Sequence, residues 1–121
     1  MGVSTDGILF YGVWFGPEDD DLPDWLDSES YDIYEEWERR ISRSEADLIF
    51  GSHGSDSYHM WYVGVSGCGA HARRGYPEDV TAIADEALGV GREYDDKLRE
   101  FLRQNDLPER EIKLWLSSYW G

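Results

Sequence analysis

Carboxylates are the residues whose type and spacing point most directly to chemistry in this chain. Eleven of them lie between Glu18 and Glu38, and that stretch contains no Lys or Arg. Such a density of negative charge attracts divalent cations or the basic groove of a nucleic-acid-binding protein, and it repels nucleic acid itself. The eleven are Glu18, Asp19, Asp20, Asp21, Asp24, Asp27, Glu29, Asp32, Glu35, Glu36 and Glu38.

A specific metal site is not predicted in this stretch. A calcium-binding EF-hand loop needs alternating acids, a central glycine and a terminal glutamate. The run Asp19-Asp20-Asp21, with Asp24 and Asp27, has neither the glycine nor the alternation. Two interpretations stay open: a solvated loop that only aids solubility, and a surface that binds a basic protein.

Trp25 is the aromatic residue set most deeply among these acids. An exposed aromatic ring surrounded by carboxylates is typical of a binding hot spot for a basic partner. The alternative is that Trp25 anchors the acidic loop onto the domain. The predicted partner-binding residues are Asp19, Asp20, Asp21, Asp24, Trp25, Asp27, Asp32, Glu35, Glu36 and Glu38.

Histidine and cysteine give weaker patterns. His53, His59 and His71 have neither the helical i, i+4 spacing of a zinc protease nor the close spacing of a zinc finger. Cys68 is the single cysteine, and it stands where a nucleophile elbow would need glycine after Ser66. We therefore predict no catalytic residue, no metal and no cofactor, with Cys68 in a hairpin turn.

A different class of function is the alternative. Arg73 and Arg74 are able to hold an anion, with His59 or His71 beside them. This arrangement predicts a pocket for a small molecule or nucleotide near a hairpin over residues 58–74.

The acidic stretch divides into a loop and a helix. Four consecutive acids and Pro23 favour a loop over 18–23, whereas apolar residues at helical spacing predict a helix over 30–42. Because only a helix holds charges in fixed geometry, we expect Asp32, Glu35, Glu36 and Glu38 to matter more than the aspartate run. The helical stripe consists of Ile33, Tyr34, Trp37 and Ile41.

The remaining pattern predicts strands and a second helix. Gly51 to Ser57 and Gly67 to Gly69 are predicted turns, and Tyr94, Leu98 and Phe101 mark a helix that ends before Pro108. The segment 80–91 is left open between helix and strand. The predicted strands are 8–15 in a central position, 58–66, 70–74, and 112–119 beside the first or second strand.

Length and composition favour one domain over residues 1–121. With 121 residues, 40% hydrophobic and 15% aromatic, the chain is able to build a core. The elements predict a small α+β domain, mostly an antiparallel sheet of about four strands with two or three helices, and an acidic loop and helix at 17–42.

Net charge limits the partners. The formal charge is −15, and residues 1–50 hold 14 acids against three arginines, which is −11. Because phosphate contacts need cations, this charge argues against binding to DNA, RNA or an anionic membrane. The single cysteine, the lack of a signal-type start and the lack of an apolar run near 20 residues predict a cytoplasmic protein.

Short segments at both ends and in the middle of the chain resemble small uncharacterised bacteriophage-encoded accessory proteins. These segments are 4–12, 74–78 and 116–121. The resemblance implies a phage or prophage origin and brings no catalytic residues. Acidic phage proteins of this kind include anti-CRISPR and other anti-defence inhibitors that imitate the charge of DNA.

The sequence therefore predicts a non-enzymatic DNA mimic, an inhibitor whose acidic face binds a basic nucleic-acid-binding protein in the host cytoplasm. Its oligomeric state is left open.

Overall fold

The computed structural model describes the backbone of residues 5–16, 19–26, 33–44, 47–55, 58–72, 76–89 and 93–120. These residues form four strands, three α-helices and a short 3-10 turn, Asp24–Leu26. This is the predicted α+β domain with an antiparallel sheet. In chain order the elements are β1 Thr5–Phe15, α1 Ile33–Arg43, β2 Leu48–Ser55, β3 Tyr58–Ala72, α2 Thr81–Leu88, α3 Asp95–Gln104 and β4 Lys113–Trp120.

The sheet order is β2-β3-β1-β4, and every neighbouring pair is antiparallel. β1 is central and β4 lies beside it, as predicted. The open question over 80–91 is settled for Thr81–Leu88, which is a helix. Within the described ranges, no helix is both long and apolar enough to cross a membrane.

The predicted turn from Gly51 to Ser57 is wrong, because β2 extends to Ser55. Gly51 pairs with Tyr62 of β3, and a Cβ atom at Gly51 would lie 2.6 Å from the Tyr62 hydroxyl oxygen. The glycine therefore makes room for a tyrosine ring. In the sequence, a strand glycine of this kind looks the same as a glycine in a turn.

The predicted hairpin around Gly67-Cys68-Gly69 is also wrong. β3 runs unbroken from Tyr58 to Ala72, so the short strand 70–74 does not exist as a separate element. The register with β1 shifts between Phe10 and Gly12, which places residues 65–68 of β3 opposite Tyr11 alone. Gly67, with φ +86°, absorbs this bulge without ending the strand.

One face of the sheet is covered by all three helices. Alternate residues of β1, from Tyr11 to Phe15, point toward this face and join a single buried cluster. Its helical members are Ile33, Trp37, Ala87, Leu98, Phe101 and Leu102, and its members from the other strands are Leu48, Trp61, Val63, Val65 and Cys68.

The other face curls inward until the two edge strands meet. β2 and β4 are the edges, yet His53 Nδ1 and Ser117 Oγ lie 3.0 Å apart. Phe10 and Tyr62 stack inside the curl with ring centroids 4.5 Å apart, and Phe10 is 1% exposed. The concave face is therefore a second, smaller apolar layer.

Glycines allow β1 and β3 to approach closely within this curl. A Cβ atom at Gly12 would meet the Val63 carbonyl oxygen and lie 2.6 Å from Gly64 Cα. A Cβ atom at Gly64 would lie 2.8 Å from the Tyr11 carbonyl oxygen. Since these neighbours are backbone atoms, they have no rotamer by which to move aside.

Gly12→Ala is expected to lower the free energy of unfolding by about 2 kcal/mol or more, since the added methyl overlaps backbone atoms. Gly7→Ala is the matched control in the same strand, because its nearest described neighbour would be the Ser117 carbonyl oxygen at 3.9 Å. That control should change stability by less than about 1 kcal/mol. Urea denaturation measures both, and equal losses would contradict the close approach of β1 and β3.

Candidate functional site

α1, which carries part of the predicted acidic surface, is fixed to the domain by Trp37. This side chain is fully buried, and its ring stacks on Phe50 at 5.5 Å and on Phe101 at 6.3 Å. Trp61 stacks at 6.0 Å, and Trp25 meets the ring edge-on at 5.1 Å. The orientation of α1 is thus set by aromatic contacts to β2, β3, α3 and the 3-10 turn.

The negative charge of Glu36 is neutralised by two arginines of its own helix. Its carboxylate accepts hydrogen bonds from Arg39 Nη1 at 2.7 Å and from Arg40 Nε at 3.1 Å. Desolvation raises the pKa of Glu36, but the hydrogen bonds and charges of the two arginines outweigh it and hold the pKa below its ordinary value. Among Glu35, Glu36 and Glu38, only Glu36 is therefore neutralised by a described ion pair.

Glu35 and Glu38 lie on the other flank of α1. With 100° between successive helical residues, Glu35 projects away from Trp37, Glu38 projects to the side, and both lie on the opposite side of the helix from Arg40. Both side chains are exposed, and the ion pairs of the described residues include neither.

The aspartate run is held in place by Arg110, contrary to the expectation of a loosely held loop. Arg110 donates to Asp21 at 2.8 and 3.1 Å and to Asp19 at 3.5 Å. Asp19 also accepts a hydrogen bond from the Gly16 N–H at 2.8 Å. The hydrogen bond from Arg110 is the main reason that the pKa of Asp21 lies below its ordinary value.

Trp25 is held against the domain, as the anchoring alternative expects, and its role as a hot spot stays a prediction. Its Nε1 donates to the Asn105 carbonyl oxygen at 2.8 Å, and Arg40 lies over its ring at 4.3 Å. The Asn105 Oδ1 accepts in turn from Arg40 Nη1 at 3.0 Å. The indole is therefore engaged by the protein itself, through its N–H, its edge contact with Trp37 and its cation contact.

Four predicted carboxylates are exposed and take part in no ion pair among the described residues. They sit on the Arg110-held loop, at the start of the 3-10 turn and on the outer flank of α1. Asp27 and Asp32, also predicted, lie outside the described residues. We call the four residues Asp20, Asp24, Glu35 and Glu38 the acidic surface.

The alternative anion site is described only in part. Arg73 and Arg74 lie outside the described residues, as does the side chain of His59. Because β3 is continuous, His59 and His71 do not face each other across a hairpin. His71 borders a cleft of about 240 Å³ whose apolar lining includes Ile8, Leu9, Ala70, Val80 and Leu116. The described part of the cleft suits an apolar ligand better than a nucleotide, and anion binding stays a prediction.

Cys68 lies in the core rather than in the predicted turn. It belongs to β3 and is 1% exposed. Burial raises the pKa of its thiol, and the nearby charge of Glu86 raises it further. A thiol nucleophile needs the opposite shift. Within the described part of the chain, no group of three or more His, Cys, Asp and Glu is placed to hold a metal ion.

Comparison of the chain with protein-family models, curated proteins and solved structures gave no match. The resemblance to bacteriophage proteins therefore stays a prediction, and the acidic surface is characterised by its own geometry and charge.

Arg110→Gln is expected to move the pKa of Asp21 back toward the ordinary aspartate value, measured by carboxyl NMR titration. Because the folded-state pKa is lowered, the pair stabilises the fold above the ordinary value and this contribution is lost as the pH falls through the folded-state pKa. The variant should therefore lose less stability than the wild type between neutral pH and about pH 3.

Arg103→Gln is the matched control for that experiment. It removes another ion pair, to Glu100 at 2.7 Å, on the exposed side of α3. The titration of Asp21 should be unchanged in this variant. An Asp21 titration that is the same in all three proteins would show that Arg110 does not hold the loop.

Proposed function

We propose that this chain is a non-enzymatic binding protein that occupies the basic groove of a nucleic-acid-binding host protein by charge mimicry. The observation that carries the proposal is the acidic surface: Asp20, Asp24, Glu35 and Glu38 are exposed, and no described cation pairs with them. A surface left uncompensated in this way is complementary to a basic groove.

The cations of the chain support the same proposal by their placement. The described ion pairs use six of them to neutralise the protein's own carboxylates, so these cations are less available to phosphate groups. The six are Arg39, Arg40, Arg99, Arg103, Arg110 and Lys113.

Fixed geometry is the second requirement of a mimic. Duplex DNA presents about one charge per 1.7 Å of its axis, and a helix rises about 1.5 Å per residue, so a helix with flanking acids approaches that density. Trp37 holds α1, and Arg110 holds the aspartate run. On binding, these acids would therefore lose less conformational entropy than the acids of a disordered tail.

The resemblance to phage accessory proteins supplies a setting for the proposal. A protein of that origin would meet its partner in the cytoplasm of the infected cell, where nucleases and other defence proteins carry basic grooves. An inhibitor of the anti-CRISPR or anti-restriction type would need no catalytic group. The buried thiol of Cys68, with its raised pKa, agrees with a binding role.

The quadruple variant Asp20→Asn, Asp24→Asn, Glu35→Gln and Glu38→Gln tests the proposal. Proteins captured from a bacterial lysate by the wild type at low salt are purified, and their affinity for each variant is measured by calorimetry. If each charge contributes roughly 0.5 kcal/mol, the quadruple variant should bind about 30-fold more weakly. The wild-type affinity should also fall steeply with added salt.

A second variant with the same change in charge is the control. Glu78→Gln, Asp85→Asn, Glu86→Gln and Glu93→Gln neutralise four exposed carboxylates on and around α2, away from the acidic surface. This variant should bind within about threefold of the wild type, because distant exposed charges are screened. Equal losses of affinity in both variants would show that net charge alone accounts for the binding, and they would contradict a defined binding surface.

A further inference from the structure

A second candidate site lies on the concave face of the sheet. It is a cleft of about 290 Å³, which is near the lower limit of roughly 300 Å³ for small-molecule pockets. Its size therefore suits one side chain better than a whole ligand of drug size. The lining residues are Phe10, Trp14, Met60, Trp115, Leu116 and Ser117.

The aromatic walls of this cleft are preformed. Trp14 and Trp115 meet edge to face, with ring centroids 6.1 Å apart and planes at 78°. Trp115 is fixed by its Nε1, which donates to the Gly12 carbonyl oxygen at 3.0 Å, and Phe10 is fixed by stacking on Tyr62. Trp14 nevertheless stays 40% exposed, so part of this side chain is available at the surface.

Carboxylates lie beside the Trp14 wall of the cleft, although none of the lining residues is acidic. A Cβ atom built on Gly16 would lie 3.2 Å from Trp14 Cζ3 and 3.9 Å from the Asp19 carboxylate oxygens, so the Trp14 ring adjoins the aspartate run. The aspartate run, 19–21, and the segment 109–113 that pairs with it through Arg110 contain five carboxylates and two cations. Their net charge is −3, and a bound cation would partly neutralise it.

The chain already places its own cations over aromatic rings in this region. Lys113 Nζ lies 5.8 Å from the centre of the Trp115 ring, and at the end of β1, on the helix-covered face, the Arg110 guanidinium lies 5.8 Å from that of Phe15. Both cations also pair with carboxylates, to Glu111 and to the aspartate run. The local chemistry is thus the combination of aromatic face and carboxylate that guanidinium groups prefer.

We propose that this cleft binds an arginine side chain of the basic partner, with the alkyl part against Trp14 and the guanidinium toward Asp20, the member of the aspartate run that Arg110 does not pair with. The inference rests on the proposed function, because it takes the partner to be basic. It adds a hot spot at Trp14, where aromatic packing supplies affinity that exposed carboxylates alone do not.

A short Gly-Ser peptide with one central arginine is the direct probe. It is titrated into ¹⁵N-labelled protein while the indole N–H signals are followed, with Trp14→Phe used to assign the Trp14 signal. We expect a saturable shift of the Trp14 signal, and none when citrulline, the neutral analogue, replaces arginine. The Trp25 indole N–H, bonded to Asn105, should not move.

Variants of Trp14 then test the cleft in the full complex. Trp14→Leu keeps an apolar side chain against Trp115 but removes the π face, and it should weaken binding of the captured partner about tenfold. Trp14→Phe should recover most of that loss. Tyr76→Ala, which truncates another exposed aromatic, at 66% exposure, is the control and should leave the affinity unchanged.

The outcomes separate this inference from the proposed function. An equal shift with the citrulline peptide, or no shift of the Trp14 signal with arginine, would overturn the arginine site. So would a Trp14→Leu variant that binds the partner as the wild type does while the acidic-surface variant binds weakly. A failure of the acidic-surface variant to lose affinity would instead overturn charge mimicry, and the peptide titration would still decide the cleft.

Discussion

The burial of Trp37 is the interaction on which the rest of the structure depends. Its ring lies where α1, α3, β2, β3 and the 3-10 turn converge, and it is in contact with aromatic rings from four of them. No described residue accepts a hydrogen bond from its Nε1, so packing alone retains it there. Because Trp25 rests on Trp37, the same contact fixes both halves of the acidic stretch, the turn and the helix.

The second constraint is the curl of the sheet. Glycines on the concave face bring β1 and β3 together, and the curl carries β2 to β4, where His53 meets Ser117. A flat sheet would leave Phe10 and Tyr62 open to water on this face. The curl buries Phe10, covers Tyr62 in part and leaves Trp14 at the opening beside the aspartate run. The aromatic cleft and the carboxylates beside it are thus consequences of the same backbone geometry.

The elements with strong periodicity were predictable from sequence, and those shaped by close approach were not. α1 and α3 follow from apolar stripes, and the central place of β1 follows from its two apolar faces. Gly51 and Gly67 were predicted to lie in turns. Composition alone does not distinguish a turn glycine from a strand glycine that makes room for an aromatic ring, as Gly51 does, or that lies in a bulge, as Gly67 does. The ion-pair partners of the aspartate run were not predictable from sequence either, because Arg110 lies 89 residues from Asp21 along the chain.

The acidic stretch contains eleven carboxylates, and the structure divides those that it describes by their contacts. Asp19, Asp21 and Glu36 neutralise arginines, whereas no described cation pairs with the acidic surface. The most direct test is competition between this chain and a labelled DNA duplex for the captured partner, followed by fluorescence anisotropy. Charge mimicry predicts complete displacement of the duplex at saturation. A ternary complex that retains the duplex would contradict it.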